Sequence, residues 1–115
     1  MANDRPRQTK RIKFHRRLEA AVSGISALYF QKPPSKQMVY PCIVYTLDGL
    51  RTYHANNRVY LNVPRYTVTH ITEDPDDEAF DDLVNFPYSS FDRHFTSDGL
   101  HHNVFTIYDL GGKQS

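Results

Sequence analysis

The stretch PRYTVTHITEDPDDEAFDDLVNFPYSSFDRHFTSDGLHHNVFTIY, residues 64–108, decides the fold. Within it, residues 66–72 (YTVTHIT) are dominated by β-branched side chains and read as a strand. Asp74-Pro75-Asp76 closes that strand and opens a helix over about residues 76–85. A short acidic side chain ahead of the first turn accepts free backbone amides, and negative charge suits that helix end. Ala79, Phe80, Leu83 and Val84 form its inward side, and Pro87 ends it. Residues 89–96 and 102–108 are then two strands joined at Ser97-Asp98-Gly99, because Asp-Gly is the step a tight hairpin favours.

Upstream, residues 38–47 (MVYPCIVYTL) read as a strand, with Pro41 near an edge or bulge, followed by a turn at Asp48-Gly49. Residues 51–54 and 58–63 read as short strands flanking a turn at Asn56-Asn57. Before them, Phe14, Leu18, Ala21, Val22, Ile25 and Leu28 recur at the spacing of one apolar stripe and predict a helix over 10–27, little interrupted by Gly24. Pro33 and Pro34 forbid its continuation. Residues 1–9 form a flexible basic arm, residues 10–110 a single domain and residues 111–115 a flexible tail. The expected fold is α+β, in the order α-β-β-β-α-β-β: an N-terminal helix and a short acidic helix on one face of a mainly antiparallel sheet.

A chain of 115 residues has room for one core, and although only 39 % of it is apolar, eight Tyr and seven Phe supply large buried areas. No run approaches the roughly 18 apolar residues that span a bilayer, and the first thirty residues lack a signal-peptide core. A protein made in a cytoplasm, with no membrane contact, is expected. Cys42 is the single cysteine, which leaves no partner for an intrachain disulfide; its apolar neighbours make it a small core residue rather than a nucleophile.

The polar residues do not spell an active site. Adjacent strand residues face opposite ways, so His101 and His102 do not share an ion, whereas Asp92 and His94 share a face and can meet His102 across the hairpin. Nothing carries the ligand spacing of a helical metal motif, and solvent-facing or interface histidines are favoured. Ser89, Ser90, Asp92 and His94 have the residue types of a catalytic triad but lie too close together on one strand to converge. There is no G-x-S-x-G elbow and no phosphate-binding glycine loop. The expectation is a protein that is not an enzyme, with no catalytic residue, cofactor or metal.

Charge points to assembly instead. Net charge is only +1, yet seven of the fourteen basic residues (Arg5, Arg7, Lys10, Arg11, Lys13, Arg16 and Arg17) precede residue 18. Glu73, Asp74, Asp76, Asp77, Glu78, Asp81 and Asp82 form an acidic block with no base among them. Placed side by side, copies can pair Arg5, Arg7, Arg11, Arg16 and Arg17 of one with Asp76, Asp77, Asp81 and Asp82 of the next, a head-to-tail contact that closes into a ring when the rotation permits. A nucleic-acid-binding module using the basic arm is the alternative from a different class. Strand alternation puts Arg93 between Phe91 and Phe95 on one face, an arrangement suited to an interface anchor, and Arg93, His94 and His101 are assigned to such contacts.

PYSSFDRHF (87–95), leading through DGLHH (98–102) to FTIY (105–108) and preceded by RYTVTHITEDPDDE (65–78), resembles small phage and prophage proteins encoded among head-tail joining genes. Those carry P-Y-x-S-F-D-R-x-[FY], a D-x-L-x-H turn and F-T-[IL]-Y, and the similarity covers about residues 38–108. The element order also resembles the tail terminator (tail-completion) proteins of long-tailed phages. The basic N-terminal extension and the HANNRVY stretch (54–60) depart from that pattern. The resemblance implies a structural virion protein of the neck: a ring, hexameric in the family, that ends the tail tube and docks to the head connector. Its partners are then itself, the tube protein and the connector or stopper, with nucleic acid passing through the lumen. A head-completion or stopper ring is the neighbouring alternative. The acidic residues 73–82, the loop 54–60 and the hairpin 93–102 are the expected contact surfaces.

Overall fold

Hydrophobic residues two apart on four strands and at helical spacing on one helix are brought to a single layer. The computed structural model describes residues 6–32, 38–56 and 58–111, the side chains of 6, 7, 55 and 58–61 excepted. The elements are α1 (Pro6–Ala21), β1 (Ala27–Phe30), β2 (Cys42–Ala55), β3 (Arg58–Thr72), α2 (Ala79–Val84), β4 (Ser89–Ser97) and β5 (Leu100–Tyr108). The chain is α+β in the expected order. Its five strands form one sheet, β1-β2-β3-β5-β4, with β1 parallel to β2 and every other pair antiparallel.

Both helices share one core with one sheet face. Phe14, Leu18 and Val22 of α1 and Ala79 and Leu83 of α2 pack with Ile43, Tyr45, Tyr66, Val68, Phe86, Phe105 and Ile107. The strand residues in that set lie opposite one another, Tyr45 with Val68, Tyr66 with Ile107 and Val68 with Phe105, so they share a face. Phe14 is the hub: its ring stacks on Tyr66 (centroids 4.4 Å apart, planes at 10°) and meets Tyr45 and Phe86 edge-on. Each such side chain contributes about 2–3 kcal/mol by leaving water.

Several boundaries differ from the expected ones, for identifiable reasons. Helix α1 starts at Pro6, four residues early, since proline suits a first turn where no amide is needed. It stops at Ala21, and Gly24 takes a positive φ of 78° that turns the chain. Ile25 and Leu28, expected on the helical stripe, reach the same core from outside it. Leu28 and Phe30 of β1 sit opposite Ile43 and Tyr45, so a parallel edge strand does what a longer helix was expected to do.

The Asp48-Gly49 step is a bulge within β2 rather than a turn. The Arg65 guanidinium folds over Gly49, where a Cβ would lie 2.6 Å from its Nη2, and its Nε donates to Asp48 at 3.2 Å. The expected strands 38–47 and 51–54 therefore contribute to one long strand, and 58–63 and 66–72 to another. Helix α2 is shorter than expected, with turns rather than helix over 74–78.

The β4–β5 hairpin turns at Asp98-Gly99, both at positive φ (54° and 76°), as a two-residue type I′ turn requires. Strand β4 carries a bulge between Phe91 and Arg93. One extra residue reverses the facing of everything beyond it. Phe91 lies opposite Phe105 on the helix side, but Arg93 lies opposite Val104 and Phe95 opposite His102 on the other face. The expected sharing of one face by Phe91, Arg93 and Phe95 is corrected accordingly.

Candidate interaction surfaces

The acidic segment is held by its own backbone. The Thr72 hydroxyl accepts the Asp74 amide at 3.1 Å, Asp74 Oδ1 accepts the Asp76 amide at 2.9 Å, and Asp77 Oδ1 accepts the Ala79 amide at 3.0 Å. Asp77 reaches inward to fully buried His70, whose Nε2 lies 3.3 Å from Asp77 Oδ2. Asn103 Nδ2 donates to His70 Nδ1 at 3.3 Å, which leaves the ring proton on Nε2, facing the carboxylate.

Burial lowers the His70 pKa against the pull of Asp77, so the ring stays neutral. Burial also works against the Asp77 carboxylate, yet the Ala79 amide, Thr72 and His70 together hold its pKa below the usual value. Asp82 is committed as well, accepting both the amide and the hydroxyl of Ser23 at 3.0 Å. Asp76 and Asp81 are exposed, and a cleft of about 400 Å³ opens between Glu73–Glu78 on one side and Gly24, Tyr40 and Pro41 on the other.

The basic residues lie along α1. The Ser23–Asp82 bonds fix the chain just beyond α1 to the acidic segment, while along the axis from Ala21 Lys10 is about 16 Å away and Arg16 about 8 Å, at 1.5 Å per residue. Among the described residues no lysine or arginine pairs with the block from Glu73 to Asp82. Arg17 forms an ion pair with buried Asp109, which also accepts the Gly111 amide at 2.9 Å, so this arginine ties α1 to the end of β5. Arg11 is half-buried, with its guanidinium 4.3 Å from the centroid of Phe30. Lys10, Lys13 and Arg16 are exposed; Arg5 and the Arg7 side chain lie outside the described residues.

The hairpin assigned to contacts is the most exposed part of the sheet. Arg93 pairs with Asp92 at 3.3 Å and lies 5.9 Å from the Phe95 centroid. Because the two-residue turn pairs His94 with Asn103 and Phe95 with His102, His94 meets His101 rather than His102, with His94 Nε2 and His101 Nδ1 3.3 Å apart. His102 faces the other way, its ring stacked on Phe95 at 4.5 Å. The expected convergence of Asp92, His94 and His102 does not form, and among the described residues no three His, Cys, Asp or Glu side chains are placed to hold a metal ion.

Two further surfaces escaped the sequence. Strand β3 pairs with β5 only from Arg65 onward, so residues 50–55 and 58–64 pair solely with each other and project as a two-stranded ribbon. Leu50 and Tyr53 are exposed along it, and Arg51 lies over the Tyr53 ring at 5.4 Å. The signal was present in the two strands flanking Asn56-Asn57; their continuity with the strands behind them was not.

On the face away from the helices, Ser90, Thr106, Thr67 and Thr46 stand opposite one another across four strands, a row of hydroxyl-bearing residues. Cys42 belongs to that face but is buried, and burial raises its thiol pKa to about 11, which makes it a poor nucleophile. No described helix is long and apolar enough to cross a membrane. Searched against protein-family models and curated proteins, the chain matches none.

Proposed function

We propose that the chain is a structural protein of a phage neck, a homo-oligomeric ring that ends the tail tube and joins the tail to the head. The observation carrying this reading is the polarity of the domain. Basic residues line α1 from Lys10 to Arg17, acidic residues gather beyond its C-terminal end, and among the described residues no ion pair joins the two sets. Opposite charges on separate surfaces favour head-to-tail contact between copies, and such contacts close into rings when the rotation permits. The residues of 87–108 that resemble head-tail joining proteins add the place, and the ribbon and open sheet face give such a ring surfaces for the tube protein on one side and the connector on the other. Nucleic acid at most passes through the lumen of such a ring; Arg17 is engaged by Asp109, whereas Lys10, Lys13 and Arg16 are exposed.

Labelled electron microscopy of virions tests the reading, which requires the protein at the junction of tube and head; any other position defeats it. Recombinant protein that binds the connector but not tubes would point to a stopper ring. The electrostatic contact is tested with Asp76→Lys and Asp81→Lys together, because Asp77 and Asp82 are structural. Joining of tails to heads is expected to fall at least tenfold with the fold intact, and unchanged joining would exclude the charge pairing.

A further inference from the structure

We propose that His94 and His101 form a two-imidazole site for a divalent transition-metal ion of the zinc class. The site is independent of the ring reading. Two nitrogens bound to one tetrahedral zinc at 2.0–2.1 Å lie about 3.3–3.4 Å apart. His94 Nε2 and His101 Nδ1 are 3.3 Å apart already. Their ring centroids are 5.5 Å apart with planes 24° from parallel, so the rings lie tip to tip with facing nitrogens. A tilt of roughly 35° per ring turns both lone pairs onto one point at tetrahedral geometry. Neither ring has to change its backbone position for this.

The backbone holds the pair in place. His94 is opposite Asn103 and His101 opposite Thr96 on strands joined by a two-residue turn, which makes the histidines a diagonal cross-strand pair. The register set by the Asp98-Gly99 turn, which runs without a shift from Ser97–Leu100 to His94–Asn103, puts them on the same face and His102 on the opposite one. His94 is exposed and His101 half-buried, so an ion reaches them from solvent and water completes its shell. In the free protein one of the two facing ring nitrogens donates to the other; when the ion binds, the donating ring takes its other neutral tautomer, with the proton on its far nitrogen, so that both facing nitrogens offer a lone pair. Imidazole nitrogen selects zinc, nickel and copper over magnesium and calcium, which prefer oxygen.

The experiment titrates zinc chloride into the full chain at pH 7.5 against a chromophoric chelator. One ion per chain is expected, with affinity lowered at least tenfold in His94→Gln and in His101→Gln, changed less than twofold in His102→Gln, and not competed by millimolar magnesium. Thermal unfolding of the zinc-free variants checks that the exposed hairpin still folds. Pulsed electron paramagnetic resonance of the copper(II) form supplies a second reading that needs no variant, and two coordinated imidazoles are expected. A single imidazole, or zinc affinity unchanged in His94→Gln and His101→Gln, overturns the site.

Discussion

Replacing Phe14 with alanine tests whether α1 is part of the domain or merely lies against it. The ring is fully buried, stacked on Tyr66 and bordered edge-on by Tyr45 and Phe86. Truncating a phenylalanine in such a site costs about 3–5 kcal/mol, transfer and residual cavity together. Set against a total of about 5–15 kcal/mol for a domain, this removes roughly a fifth of the stability or more. At roughly 4–5 °C per kcal/mol for a chain near 100 residues, the midpoint falls by about 12–25 °C. Urea unfolding followed by circular dichroism reads the same change as a lowered midpoint at constant slope. Phe14→Leu, which keeps most of the apolar volume, is expected to lose only about 1–2 kcal/mol. A loss below about 1 kcal/mol for the alanine variant would refute the packing, because it would mean that the sheet face is covered equally well without the helix.

Three further outcomes follow from described contacts. Asp109→Ala strands the Arg17 charge at a partly open site and is expected to cost about 1–3 kcal/mol, with the Arg17→Ala, Asp109→Ala double variant losing less than the two singles together. Because burial lowers the His70 pKa, the unfolded chain takes up a proton near pH 6.5 that the folded chain refuses, so stability falls as pH drops below about 6.5, by at most about 1.4 kcal/mol per pH unit from this group. Denaturant midpoints between pH 7 and 5 measure it, and a His70→Gln variant with an equally steep profile would assign the effect elsewhere. Cys42, buried and with its pKa pushed up to about 11, is expected to resist a thiol reagent at pH 8 until denaturant is added; rapid labelling of the native protein contradicts its placement.

How much was legible in the sequence varied with how local each signal is. The Asp98-Gly99 turn and the β-branched run of 66–72 depend on neighbouring residues and stand where they were expected, whereas α2 opens at Ala79, three residues later than the acidic signal placed it. Asp48-Gly49 misled because the same dipeptide serves a turn or a bulge, and Arg65, sixteen residues on, decides between them. Leu28 satisfied a helical stripe while belonging to a strand, since both arrangements bring it to the same core. At the candidate surfaces the exposed charges Asp76, Asp81 and Arg16 were legible, whereas the internal commitments of Asp77, Asp82 and Arg17 involve partners 7, 59 and 92 positions away. The bulge at Asp92 had no local mark, and it reverses the facing of Arg93 and Phe95 relative to Phe91, while the register from the two-residue turn decides which histidines meet.

The ribbon formed by residues 50–55 and 58–64 gives the sheet two tiers of persistence. Where β3 lies between β2 and β5, its amides are shielded by neighbours on both sides; beyond Arg65 each strand has one open edge, and of the described side chains there only Val63 and Pro64 are buried. Local opening of that part breaks few contacts, so its amides are expected to exchange with deuterium orders of magnitude faster than those of Tyr66–Thr72. The projection can thus fray and re-zip many times while the body beneath it never unfolds, which lets it be reshaped by whatever it touches without any loss of the domain that carries it.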